Sequence, residues 1–331
     1  MRQADAGGGE MRFLAFFLSA AAAFGAVEGT VNNRSTGKPQ PGTMVILFKL
    51  GQTTGPEMLA STKSDNQGKF SFTQDVAGGP HLLEAAYGGV TYTAMLPPGA
   101  PANNVQLDVY DSSTKPGAAR VQQHMVLLKP AGSQLAVSES FFLENSSNVT
   151  WHDAENGTLR FFVPPEGKDN IRVMATAPQG MPVERAPQET KEAGVYKLNF
   201  AIKPGETRID VSYTMPFTAP GPFSGRTLAK GAPTRIIVPS GVTLTGEGLK
   251  PLGHEPSTHA EIFETAALAF TVNVEGSGSL RATEDSGDEG GPSIQEILPR
   301  VYDRLAWILI PAFLALGCGF VLLYRRGAER G

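Results

Sequence analysis

The chain contains a single cysteine, Cys318, and it lies inside a long apolar run near the C-terminal end. Everything before that run is therefore without disulfides, without a thiol nucleophile and without a thiolate metal site, so any fold there is held by core packing alone. Charge is also scarce: 18% of residues are Asp, Glu, Lys or Arg, and the net charge is -4. No basic patch is present, which argues against nucleic acid as a partner. No GxSxG nucleophile elbow occurs, and His81, His124 and His152 are scattered along the chain. What is abundant is punctuation. With 38 Gly and 25 Pro, the composition suits a turn-rich, all-β protein better than a helical one.

Two apolar runs frame the chain. Leu305 to Tyr324 carries no charge and is followed at once by Arg325 and Arg326. A helix of that length, at ~1.5 Å per residue, crosses the ~30 Å hydrocarbon layer once. It has no polar face to give to water, which excludes a helix lying on a soluble core. Trp307 and Tyr324 stand near its two ends, as interfacial aromatics do. At the other end, Phe13 to Ala26 follows Arg12 and has the length and small-residue ending of a signal peptide. The expectation is a signal peptide over 1–26, exported domains, a membrane helix within 301–324 and a cytoplasmic tail over 325–331. The expectation is thus a single-pass protein of the cell membrane, its N-terminal domains periplasmic or extracellular. Arg325, Arg326 and Arg330 against Arg300 and Arg304 give that orientation thin support. Met11 is an alternative start.

The first domain is expected over 27–111. Val27–Val31, Thr43–Leu50, Met58–Lys63, Lys69–Phe72, His81–Ala86, Val90–Met95 and Val105–Tyr110 read as short strands separated by turn residues, the pattern of a β-sandwich. Asp65-Asn66-Gln67-Gly68 reads as a hairpin turn, because Gly and Asn tolerate positive φ. Phe70 and Phe72 alternate with Lys69 and Ser71, which puts both rings on one face.

These residues carry a resemblance. Val27-Glu28-Gly29-Thr30-Val31, Thr36-Gly37-Lys38-Pro39, Gly42, Val45 and then Thr62-x-x-Asp65-x-x-Gly68-Lys69-Phe70-Ser71-Phe72 resemble the carboxypeptidase regulatory-like (transthyretin-like) domain. Gly79-Pro80-His81-Leu82 and Tyr87-Gly88-Gly89 sit where that family places its next strand and turn. The resemblance implies a sandwich fold and no chemistry, since the domain accompanies peptidases, transporters and surface proteins. No metallopeptidase domain follows it here. The fold's relatives include starch-binding sandwiches, which is where a carbohydrate hypothesis enters.

Residues 112–120 read as a linker, and 121–275 as a second β-sandwich. Its clearest strand is Val195 to Ile202, with Lys197 and Asn199 alternating outward. Residues 276–300 begin with an acidic, Gly- and Ser-rich stretch that reads as a flexible spacer. Two sandwiches with a C-terminal anchor also resemble a group of exported bacterial membrane proteins of unassigned function.

Few residues are chemically suggestive. Gly253-His254-Glu255-Pro256-Ser257-Thr258-His259 is superficially similar to the HExxH zinc motif, which needs its His pair at i and i+4 on one helical face. The spacing here is i+5, and Pro256 disfavours a helix through Glu255, so two solvated histidines on a loop are expected. Asp65-x-x-Gly68 lacks the run of oxygen ligands of a calcium loop and reads as a structural turn. Trp151 and Phe161, with Phe141 and Phe162 nearby and Phe142 beside Phe141, are the candidates for a sugar-stacking platform. Paired strand aromatics more often place one ring in the core and one toward a neighbour. Asn33, Asn145, Asn148 and Asn156 open Asn-x-Ser/Thr sites, relevant only in a eukaryotic secretory pathway. No catalytic residue, metal or cofactor is expected. The leading expectation is a non-enzymatic, membrane-tethered protein that binds or scaffolds a protein partner in the envelope. The alternative is a carbohydrate-binding module holding polysaccharide. A hydrolase would require His254 and His259 to converge with an acid in a cleft.

Overall fold

The computed structural model describes residues 27–51, 55–74, 76, 79–229 and 232–278. The expected signal segment, most of the acidic spacer, the run Leu305–Tyr324 and the tail lie outside these residues. Among the described residues no helix is long and apolar enough to cross a membrane. The described residues are all-β, with one 3-10 turn among them at Pro165–Asn170.

Two hydrophobic cores form, each between facing sheets. In the first, Val27–Asn33 is a central strand. It pairs antiparallel with Lys69–Phe72 and Lys38–Pro39 and parallel with Asn103–Val109. The facing sheet runs Glu57–Lys63, Met44–Lys49, His81–Tyr87, Val90–Leu96 in spatial order, all antiparallel. Period-two alternation sends Val27, Val31, Phe70, Phe72, Leu107 and Val109 from one sheet, and Val45, Leu47, Leu83, Ala85 and Tyr92 from the other, into a common core. Phe70 and Phe72 meet edge to face at 6.0 Å, on one face as their spacing implies. Gly88 and Gly89, both at positive φ, close the tight hairpin between His81–Tyr87 and Val90–Leu96.

The turn at Asp65–Gly68 has a different role from the hairpin expected of it. It carries the chain from one sheet of the sandwich to the other, because Glu57–Lys63 and Lys69–Phe72 belong to different sheets. The Asp65 carboxylate accepts the backbone N–H groups of Gln67 and Lys69, both at 2.8 Å, and Gly68 alone takes positive φ.

The second core lies under an eight-stranded sheet, ordered Val183–Glu184, Arg172–Thr176, Gly205–Pro216, Gln134–Asn145, Ala119–Ala131, Thr234–Val238, Glu261–Thr265, Lys250–His254. Two three-stranded sheets cover it. One is built on Val195–Leu198, between Leu159–Phe162 and Gln188–Glu189; the other on Ala269–Gly276, between Gly221–Arg226 and Val242–Gly246. All three sheets send side chains into one cluster, among them Phe141, Phe161, Ile209, Phe223, Leu198 and Val272.

The segment expected as a linker, 112–120, is pinned. Ser112 and Ser113 pair with Thr150 and Trp151, and the next long strand already begins at Ala119. The physical reason is that the backbone groups of this short connection find partners in the neighbouring loop. Around it the two cores share a polar seam. Tyr92 and Thr150 hydroxyls meet at 2.9 Å, the Asn148 amide donates to Ser35 O at 3.1 Å, and the Ser35 hydroxyl donates to Asn148 O. The two bodies are docked rather than strung on a flexible tether.

Candidate functional site

The outer face of the sheet Glu57–Lys63, Met44–Lys49, His81–Tyr87, Val90–Leu96 carries an apolar row beside a mainly polar one of Ser61, Ile46, Glu84 and Thr93. Directly opposed strand residues share a face, so the pairings Met58 with Phe48, Phe48 with Leu82, and Leu82 with Met95 draw one row across all four strands. Met58 is 60% exposed, Met95 42% and Met44 on the same face 38%. Phe48 and Ile46 beside them are half-buried, and Leu82 is buried. Unbranched, polarizable Met side chains suit a surface that adapts to a partner.

At the Met95 end this face runs into a cleft of about 530 Å³ between residues around the two cores. One wall is the hairpin of Leu82, Glu84, Thr91, Thr93 and Met95; the other holds Met181, Val183, Arg185, Asn199, Phe200 and Lys203. The Lys203 ammonium donates to Thr91 O at 2.6 Å and lies 4.9 Å from the centre of the Tyr92 ring. Burial pulls its pKa down to about 8, against an opposing pull from Glu84. It remains mostly cationic at neutral pH. Among the described residues neither Lys203 nor Arg185 is in an ion pair, and Arg185 sits over Phe200 at 6.0 Å.

A second polar group is buried within the second core. Glu139 Oε2 meets His124 Nε2 at 3.1 Å, and Glu139 Oε1 accepts the Tyr213 hydroxyl at 3.1 Å. His124 Nδ1 meets the Thr234 hydroxyl at 3.0 Å, and the ring stacks on Phe141 at 4.3 Å. Burial first, then the adjacent Glu139, pushes the Tyr213 hydroxyl well above its ordinary pKa. Every member is enclosed and partnered, so the group serves the fold. Sequence reading passed it over, but a signal existed. In Leu135-Ala136-Val137-Ser138-Glu139-Ser140-Phe141-Phe142-Leu143, period two places Glu139 in phase with Leu135, Val137, Phe141 and Leu143.

The sugar-stacking platform does not form. Phe161 is 1% exposed and stacks on Tyr196 inside the core, because its strand alternation points it inward. Trp151 is half-buried, and its indole N–H donates to Thr114 O at 3.2 Å. Phe141 is buried, whereas Phe142 and Phe162 are half-buried, and Arg208 lies 5.5 Å from the Phe142 ring centre. No common aromatic surface is presented by Trp151 and Phe161.

His254 and His259 are both exposed, at the end of a strand and on the loop after it. Glu255 is turned onto its own loop, accepting the N–H and hydroxyl of both Ser257 and Thr258. Those hydrogen bonds lower its pKa to about 2, so the loop keeps them at any pH above that and loses them as pH falls through it. Among the described residues no group of three or more His, Cys, Asp or Glu is placed to hold a metal. Of the Asn-x-Ser/Thr sites, Asn33 and Asn145 are buried with their side-chain amides in internal hydrogen bonds. Asn148 and Asn156 are exposed.

No family model matches the sequence, and no curated protein matches it. Among solved structures, leukotriene A4 hydrolase from Saccharomyces cerevisiae aligns at 12% identity and a TM-score of 0.31, over 48% of this chain and 29% of that one. The M1 zinc metallopeptidase from Deinococcus radiodurans aligns at 12% identity and a TM-score of 0.27, over 47% of this chain and 42% of that one. The chain spans less than half the length of either structure. Likeness at this level carries neither a fold nor an activity across.

Proposed function

We propose that this chain is a non-enzymatic, membrane-anchored exported protein that binds or scaffolds a protein partner at the cell envelope. The single observation that carries the reading is the row Met58–Phe48–Leu82–Met95, which exposes Met58 and Met95 at its two ends with half-buried Phe48 and buried Leu82 between them. Exposed apolar side chains gathered on one sheet face mark interaction sites. Anchoring and export are supported by the runs Leu305–Tyr324 and Phe13–Ala26. The resemblance of the first domain to the carboxypeptidase regulatory-like family fits a role in display rather than chemistry.

The test is crosslinking in intact cells, followed by purification through the C-terminal tail and mass spectrometry, on the wild type and on a Met58→Glu/Met95→Glu variant. The expected result is one recurrent protein at comparable abundance in the wild type, reduced about tenfold or more in the variant. Recovery of the same proteins at equal yield from both would overturn the assignment of this face.

A further inference from the structure

We propose that the cleft around Thr91 and Lys203 receives an extended, acidic peptide segment of the partner, added as a strand to the free edge of Val90–Leu96. The inference rests on the partner-binding reading and names the chemistry of what is bound.

The edge is available for a geometric reason. Val90–Leu96 ends its sheet, and among the described residues no strand pairs with its other side. The tight hairpin fixes Tyr87 opposite Val90 as a hydrogen-bonded pair, so bonding alternates from there. Val90, Tyr92, Ala94 and Leu96 direct their backbone groups at His81–Tyr87, while Thr91, Thr93 and Met95 direct theirs outward. All three line the cleft, together with Gly89 and Val90 of the same hairpin and Leu82 and Glu84 of the adjacent strand. From Thr91 to Met95 the edge offers ~17 Å of strand. Exposed edges of this kind are templates for strand addition, with main-chain bonds giving affinity and alternate side chains giving selectivity.

Charge selects the guest. Lys203 already engages Thr91 O and keeps two further ammonium donors. With Arg185 it gives the cleft two cations that have no ion-pair partner among the described residues, against Glu84 as the sole acid lining it. A carboxylate on the incoming strand would bring two cations their missing partner in a partly desolvated site, where such bonds are stronger than in bulk water. Met95, Met181 and Phe200 supply apolar contact for neighbouring guest side chains. The free edge explains an extended guest, and the cations explain an acidic one.

The experiment uses the full-length chain in detergent micelles, screened against a displayed library of random nonapeptides. Selected peptides are then measured against Thr93→Pro, Lys203→Gln and Met58→Glu. Thr93→Pro removes only an outward-pointing donor on an edge strand, so the hairpin ladder is retained, and circular dichroism confirms folding. The expected result is Asp- or Glu-containing, Pro-poor peptides that lose about tenfold or more in affinity to both Thr93→Pro and Lys203→Gln. Peptides that bind those two variants as well as the wild type, but lose affinity to Met58→Glu, would overturn the cleft inference and leave the partner-binding reading standing. A library that yields no peptide would sink both. Peptides retained only after Glu284, Asp285, Asp288 and Glu289 are changed to Ser would show that the chain's own acidic spacer is the guest, and would overturn a partner peptide.

Discussion

Replacing Glu139 by leucine is expected to destabilise the second domain by about 3–5 kcal/mol, because it strands His124 and Tyr213 in the core without their shared acceptor. Leucine is close to glutamate in volume, so the loss reports hydrogen bonding and charge rather than a cavity. For a domain of this size the melting temperature should fall by roughly 10 °C. The control is the combined change Glu139→Leu, His124→Leu and Tyr213→Phe, which removes the two groups that Glu139→Leu strands, while the Thr234 hydroxyl keeps the Thr227 hydroxyl as a partner at 2.6 Å. Replacing a buried polar set with apolar residues of similar shape is often neutral, so the triple variant should recover most of the loss. Thermal unfolding of the two variants decides it. A single variant within about 1 kcal/mol of wild type would mean that water reaches this group and that it is not sealed as described.

The second large effect belongs to the first domain. Gly68 has φ near +75°, and a Cβ built there would stand 2.7 Å from Val31 O and 2.8 Å from Pro39 Cβ. Gly37 has a similar φ of +71° and nothing within 4 Å. Valine at Gly37 should therefore cost only the left-handed backbone penalty, about 1–2 kcal/mol. Valine at Gly68 must also displace backbone where Val31 N–H bonds to Gly68 O at 2.8 Å, and should cost about 3 kcal/mol or more. Chemical denaturation of the pair separates backbone conformation from close approach. Equal losses would show that the sheet crossover tolerates a side chain at position 68.

Much of the all-β character was legible because strand alternation is a local signal. Val27–Val31, Lys69–Phe72, His81–Ala86 and Val195–Leu198 are strands in the structure, and Phe70 and Phe72 share a face. Pairing was less legible, since it depends on contacts far apart in sequence. The Asp65–Gly68 turn signal is local and correct in chemistry, but nothing in those four residues says that the strands it joins part company into different sheets. The tethering of 112–120 was hidden for the same reason: Ser112 and Ser113 bond to a loop near residue 150. Phe161 was a candidate for the aromatic platform, and its alternation with exposed Arg160 turns it into the core instead. The cleft could not be read at all, because Thr91 and Lys203 are 112 residues apart and meet only in the folded chain.

The central claim is that the open sheet face meets a partner, and the most direct measurement is photo-crosslinking from single positions in intact cells. A photoreactive amino acid at position 58 lies on the apolar row, and one at exposed Ser71 lies on the opposite sheet. The account predicts a discrete protein adduct from position 58 and none from position 71. Adducts of the same pattern from both positions, or from neither, would contradict it.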